Sequence, residues 1–96
     1  MVNNMKKLIK IENNSYELIT NYREAFNEEE FLSKCTDYFY DYDYIVGDYA
    51  YSKLRLKGFY DDASKKSNKY NKISGLDRYI TENCAYGCRY FVLKKQ

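Results

Sequence analysis

The chain contains no histidine. That removes Ser-His and Cys-His nucleophilic pairs, the commonest general base and the commonest metal ligand. Any acid–base chemistry would fall to carboxylates, lysine, tyrosine or cysteine. Glycine is scarce: Gly47, Gly58, Gly75 and Gly87 are too dispersed to build a phosphate-binding loop. Three cysteines are an odd count and too few for a disulfide framework. No stretch approaches the roughly 20 apolar residues of a membrane span. The first residues, MVNNMKKLIKIE, hold no apolar run followed by a small-residue cleavage site, so no signal peptide is expected. Together these shortages predict a cytoplasmic protein with reduced thiols, no cofactor and no membrane contact. Hydrolase or transferase activity is not expected.

Aromatic residues are abundant by contrast. Thirteen tyrosines and five phenylalanines, with no tryptophan, predict a core built largely of rings. Tyrosine hydroxyls favour a polar edge, so many of these rings should sit at the core boundary. Ninety-six residues make one domain, spanning residues 1–96. A chain this short buries roughly 60–65% of the surface its unfolded form exposes, enough for one modest core. Net charge is +2 but unevenly spread. Residues 1–50 carry five Lys/Arg and ten Asp/Glu, and residues 51–96 carry eleven and four. Such asymmetry marks either an anionic partner for the basic half or mutual neutralisation of the halves.

Leu8, Ile9 and Ile11 predict a strand within Met5–Glu12. Asn13-Asn14 suits a two-residue turn, and Ser15–Thr20 returns as a second strand. Tyr16 and Leu18 should share one face, with Ile19 on the other. The best helix signal begins at Asn27, an N-cap with Glu30 three residues on, and with Phe26 and Phe31 at the staple positions. The stripe Phe31, Cys35, Tyr38, Phe39 and Tyr42 predicts a helix over about 28–40. Asp37, Asp41 and Asp43 oppose the helix dipole, so an irregular exit is expected.

Tyr44–Val46 is an apolar run fit for a strand buried on both faces. Gly47 suggests a bulge or a close backbone approach. Over Lys53–Tyr60, Leu54, Leu56, Gly58 and Tyr60 alternate with Lys53, Arg55, Lys57 and Phe59, the pattern of a half-exposed antiparallel strand. Asp61–Lys72 is a polar, lysine-rich loop. Ser74 with Asp77 signals a second helix, with Leu76, Tyr79 and Ile80 on its inner face and Asn83–Gly87 closing it. Cys88–Lys94 reads as a last, central strand. The class is α+β: a mostly antiparallel sheet in ββαββαβ order with two helices packed on it. Tyr44–Val46, Leu54–Phe59 and Tyr90–Leu93 are the expected central strands.

Four stretches resemble the YutD family. They are Asp43-Tyr44-Ile45-Val46-Gly47-Asp48, Leu54 to Asp62 (LRLKGFYDD), Ile73 with Leu76-Asp77, and Cys84-Ala85-Tyr86-Gly87-Cys88 before Tyr90-Phe91-Val92-Leu93. The likeness covers nearly the whole chain. Tyr49–Lys53 is where the family is expected to vary. The resemblance implies a small cytosolic α+β protein of Gram-positive bacteria, and it brings no reaction, cofactor or catalytic residue with it.

The candidate ligand-binding residues are Arg55, Lys57, Phe59, Asp48, Asp61 and Asp62. Arg55, Lys57 and Phe59 share a strand face, and basic residues interleaved with an exposed ring suit single-stranded nucleic acid. A covering helix or a solvated face would explain them equally. Asp43, Asp48, Asp61 and Asp62 flank two strands; they either meet to hold a cation or position a water, or they cap turns or pair with Arg55 and Lys57. Cys84 and Cys88 could serve a metal, a disulfide across a sharp turn, or a buried thiol pair. The missing fourth ligand makes reduced, buried, metal-free thiols the expectation. Exposed tyrosines are good interface anchors. The leading functional expectation is therefore a non-enzymatic protein-binding or regulatory module, and the alternative is RNA or single-stranded nucleic-acid binding through the Arg55, Lys57 and Phe59 strand face and the lysine-rich Asp61–Lys72 loop.

Overall fold

The computed structural model describes residues 7–83 and 88–96. In chain order the elements are β1 (Leu8–Ile11), β2 (Asn14–Tyr22), α1 (Glu28–Lys34), β3 (Tyr44–Ala50), β4 (Lys53–Phe59), α2 (Leu76–Asn83) and β5 (Tyr90–Lys95). Short 3-10 turns at Asp37–Phe39 and Ile73–Gly75 precede β3 and α2. The five strands form one antiparallel sheet in the order β1-β2-β5-β3-β4. This is the α+β, ββαββαβ arrangement that the patterning predicts.

Each face of the sheet carries one helix. Ile9, Tyr16, Ile45, Tyr49, Leu54, Phe91 and Leu93 pack with Phe31 of α1. Tyr44, Val46, Phe59 and Val92 point the other way, where Leu76, Tyr79 and Ile80 of α2 lie on them. Alternation along β3 thus feeds two cores, and Tyr44–Tyr49 is buried throughout. Phe26, Phe31 and Phe91 form an edge-on ring cluster, with centroids 5.0 Å apart for Phe26–Phe91 and 6.0 Å for Phe31–Phe91. Such pairs add about 0.5–1.5 kcal/mol each beyond their burial. Gly47 makes this cluster possible: a Cβ there would lie 2.2 Å from the Phe91 ring. Its close approach is to β5, in unbroken register.

Several expectations need correction. The first turn is Glu12-Asn13, one residue earlier than expected, with Glu12 at φ 55° and Ile11 paired to Asn14. Helix α1 ends at Lys34, because Cys35 and Thr36 are extended (ψ 132° and 175°). A β-branched threonine and the acids behind it favour that stop, and the 3-10 turn after it keeps Phe39 on the same core. Asn27 does cap the helix, accepting the Glu30 N–H at 2.8 Å. The Glu30 carboxylate accepts instead from the Tyr49 hydroxyl at 2.6 Å. Ser74 lies inside the 3-10 turn that precedes α2, and the N-cap position of that turn is Lys72. The Ser74 N–H donates to Asp62 at 3.0 Å. Finally, Leu54–Phe59 is in the sheet but at its edge.

Candidate functional site

Strands β3 and β4 pair Asp48 directly opposite Arg55. Both side chains stand on the α2 face. The Arg55 guanidinium donates twice to the Asp48 carboxylate, at 2.9 and 3.0 Å, and once to the Asn83 carbonyl at 2.8 Å. Asp48 is only 1% exposed. Tyr79 lies beside it, and burial together with that carboxylate pushes the Tyr79 phenol above its usual range. A buried carboxylate needs such donors as the guanidinium supplies. Arg55 thus ties the sheet to the C-terminal end of α2, where a cation also suits the helix dipole.

The other candidate residues are placed differently. Phe59, expected as an exposed ring, is buried (1%) with its edge toward Tyr79 at 5.6 Å. This face is thus covered rather than solvated, and the helix that covers it is α2. Lys57 is half-buried, with its ammonium 5.1 Å from the Phe59 ring and 5.7 Å from Tyr79. Asp61 and Asp62 sit in the loop after β4. Asp61 accepts the Ala63 N–H at 2.9 Å, and its own N–H donates to Asp43 at 2.8 Å. Asp62 accepts the Ser74 N–H at 3.0 Å, and the polar groups of Ser74 hold its carboxyl below the usual range. The structure therefore joins Asp48, Arg55, Lys57 and Phe59 under α2, and uses Asp43, Asp61 and Asp62 as turn acceptors. Among the described residues no group of three or more Cys, Asp or Glu is arranged for a metal ion.

The cysteine expectation fails at Cys88, which is disulfide-bonded and half-buried. A disulfide forms where Cβ atoms approach within about 3.5–4.5 Å, a proximity that spacing alone does not reveal. Cys84 lies outside the described residues, as does the expected helix closure at 84–87. Cys35 is a free thiol, and burial pushes it up to about 11, away from reactivity.

Two features escaped the sequence reading. One is a groove of about 610 Å³ along α2, lined by Lys57, Lys69, Lys72 and Arg78 with Tyr70 and Tyr79. The lysine-rich loop was its only signal, since the loop, β4 and α2 contribute jointly. The other is the β3–β4 turn. Tyr51 and Ser52 both have positive φ, 53° and 65°. A two-residue turn of this hand normally calls on Asn-Gly, because side chains are strained there. Tyr51 nevertheless holds a ring that is 98% exposed.

Comparison with known proteins adds the context. A family model described as "Putative antitoxin YutD-like" matches residues 10–94. The chain is 51% identical over 88 residues to "Putative antitoxin YutD" of Bacillus subtilis (strain 168), covering 92% of this chain and 97% of that protein. A solution NMR structure of protein yutD from B. subtilis superimposes with a TM-score of 0.79 at 50% identity, covering 94% of this chain and 82% of that one. Sequence and fold agree along nearly the whole length, and the chain belongs to the YutD-like family.

Proposed function

We propose that this chain is a cytoplasmic, non-enzymatic binding module with a protein partner, working as an antitoxin in the sense of its relative's name. The observation that carries the reading is Tyr51. Nothing in the fold needs a large ring at the tip of that hairpin, and a left-handed φ disfavours one. Residues held against a local preference and presented to solvent are typical of recognition, and tyrosine is among the commonest binding hot spots. The ionisable groups considered for chemistry support the same view. Asp48 is enclosed by Arg55 and Tyr79, and Asp62 is engaged by Ser74.

The test is capture and neutralisation. A growth-arresting protein that co-purifies with this chain after nuclease treatment should be neutralised on co-expression. Tyr51→Asn should fold at least as stably, because asparagine tolerates left-handed φ, and should lose both capture and neutralisation. Equal activity of Tyr51→Asn would remove Tyr51 from the interface. Capture is run with and without a thiol reductant, because the Cys88 disulfide is unusual for a reducing compartment.

A further inference from the structure

From the groove along α2 we infer a second binding site, one that takes the phosphate backbone and bases of a single-stranded nucleic acid. Four cations line it, Lys57, Lys69, Lys72 and Arg78, against one carboxylate, Glu82. Glu82 pairs with Arg78 at 3.9 Å, a weak contact between two exposed side chains that leaves the lining net positive. The cations come from three separate pieces of chain: β4, the 61–72 loop and α2. Their convergence is therefore a product of the fold. The loop that brings two of them is built rather than slack. Asn68 and Asn71 exchange side-chain-to-backbone bonds, at 2.7 Å from the Asn68 N–H to the Asn71 carbonyl oxygen of the side chain and at 3.1 Å in return.

Rings continue where the cations stop. A second cavity of about 300 Å³ adjoins the groove, sharing Lys57 and Tyr70 with it. Tyr38, Phe39 and Tyr42 line this part. Tyr38 and Tyr70 are 65% and 73% exposed, Tyr70 with the Lys69 ammonium 5.2 Å from its ring centroid, so a cation and a ring reach solvent together. Cations followed by exposed rings along one path match a strand that gives phosphates to the first and stacks bases on the second. An acidic peptide would use the cations and leave the rings idle. A duplex would offer no unstacked base. None of these residues belongs to the Tyr51-Ser52 turn, so the site is independent of the protein interface proposed above.

The probe is a fluorescently labelled single-stranded RNA of about ten nucleotides, within the roughly 4–16 that such grooves span. Anisotropy titrations over a range of salt should give a log–log slope of about −3, at about −0.7 per phosphate for four contacts. Lys69→Ala with Lys72→Ala should halve that slope and weaken binding at least tenfold at low salt. Tyr70→Ala should weaken binding roughly 5- to 150-fold with the slope unchanged, the signature of lost stacking. Lys66→Ala removes the same charge outside the groove, where Lys66 is engaged by Asp41 at 2.8 Å, and should leave affinity within about twofold. No binding at low salt overturns the inference. So does an equal loss from Lys66→Ala, which would reduce it to general charge attraction. Tighter binding of a polyglutamate peptide of the same length, with the same lysine dependence, would reassign the groove to an acidic protein segment.

Discussion

Tyr16 shows how a single buried atom can be costly. Its ring is fully enclosed in the α1-side core, yet its hydroxyl has no hydrogen-bond partner among the described residues. Burial pushes that phenol up to about 12, with the neighbouring Cys35 and Tyr40 adding to the effect. An unsatisfied buried hydroxyl costs about 1–3 kcal/mol. Tyr16→Phe should therefore stabilise the protein by about 1 kcal/mol in urea unfolding; a loss of stability would mean that the hydroxyl is bonded after all. The sequence put Tyr16 and Leu18 on one face and Ile19 on the other, because period-two alternation reports which residues share a face. It could not report what the ring's oxygen would meet. Phe59 failed for the same reason, since its burial depends on Tyr79, twenty positions along the chain.

Helices and strands were legible where the signal is local and silent where it is not. The Asn27 cap and the Phe26–Phe31 staple lie within five residues, and both form, with the ring centroids 5.8 Å apart. The end of α1 was missed because the apolar stripe runs on through the 3-10 turn, so periodicity alone cannot see the break. The edge position of β4 was missed because seven alternating residues look the same at an edge as beside one. The pairing of Asp48 with Arg55 was within reach of the sequence, as one alternative for the acids; the bond that Arg55 makes on to Asn83 of α2 was not, because it depends on where the helix lies. The Arg55 clamp makes a definite demand on α2. Arg55→Met removes both guanidinium bonds from the buried Asp48 carboxylate. Because Arg55 is 42% exposed, the cost should be about 2–3 kcal/mol, below the roughly 3–5 of a fully buried pair. Hydrogen exchange should show α2 amides losing more protection than those of β1 and β2. Uniform loss across the sheet, or a cost under about 0.5 kcal/mol, would show that the pair does not hold the helix down.

Across the entire sheet, titration sets limits on both sides of neutrality. Asp41, bonded first to Lys66, and Asp62, bonded to Ser74, have carboxyls below the usual range. Their folded-state values lie below the unfolded ones, so their contribution is present above about pH 4 and is lost as pH falls further. Tyr16, Tyr42 and Tyr49 behave oppositely. Tyr49 is pushed up to about 12 by burial and then by its bond to Glu30, and Tyr42 to about 12 by its bond to Tyr38 and then by burial. Their contribution is present below about pH 10 and disappears as pH climbs to 12. Stability should thus form a plateau between about pH 5 and 10, and tyrosinate absorbance should show a late group that ionises only with unfolding. Titration of every tyrosine near pH 10 in the folded protein would contradict this.

The strand order carries one more consequence, and it concerns synthesis. Strand β5 is the fifth strand in the chain and the third in the sheet, inserted between β2 and β3. As the chain leaves the ribosome, the β1–β2 and β3–β4 hairpins can each close on their own. They have nothing to join them until residues 90–95 emerge. During that interval β2 and β3 each present an unpaired inner edge, the kind of surface that invites aggregation or a chaperone. Nascent chains of this protein should therefore stay sensitive to protease until β5 is out, and acquire both cores at once rather than one after the other.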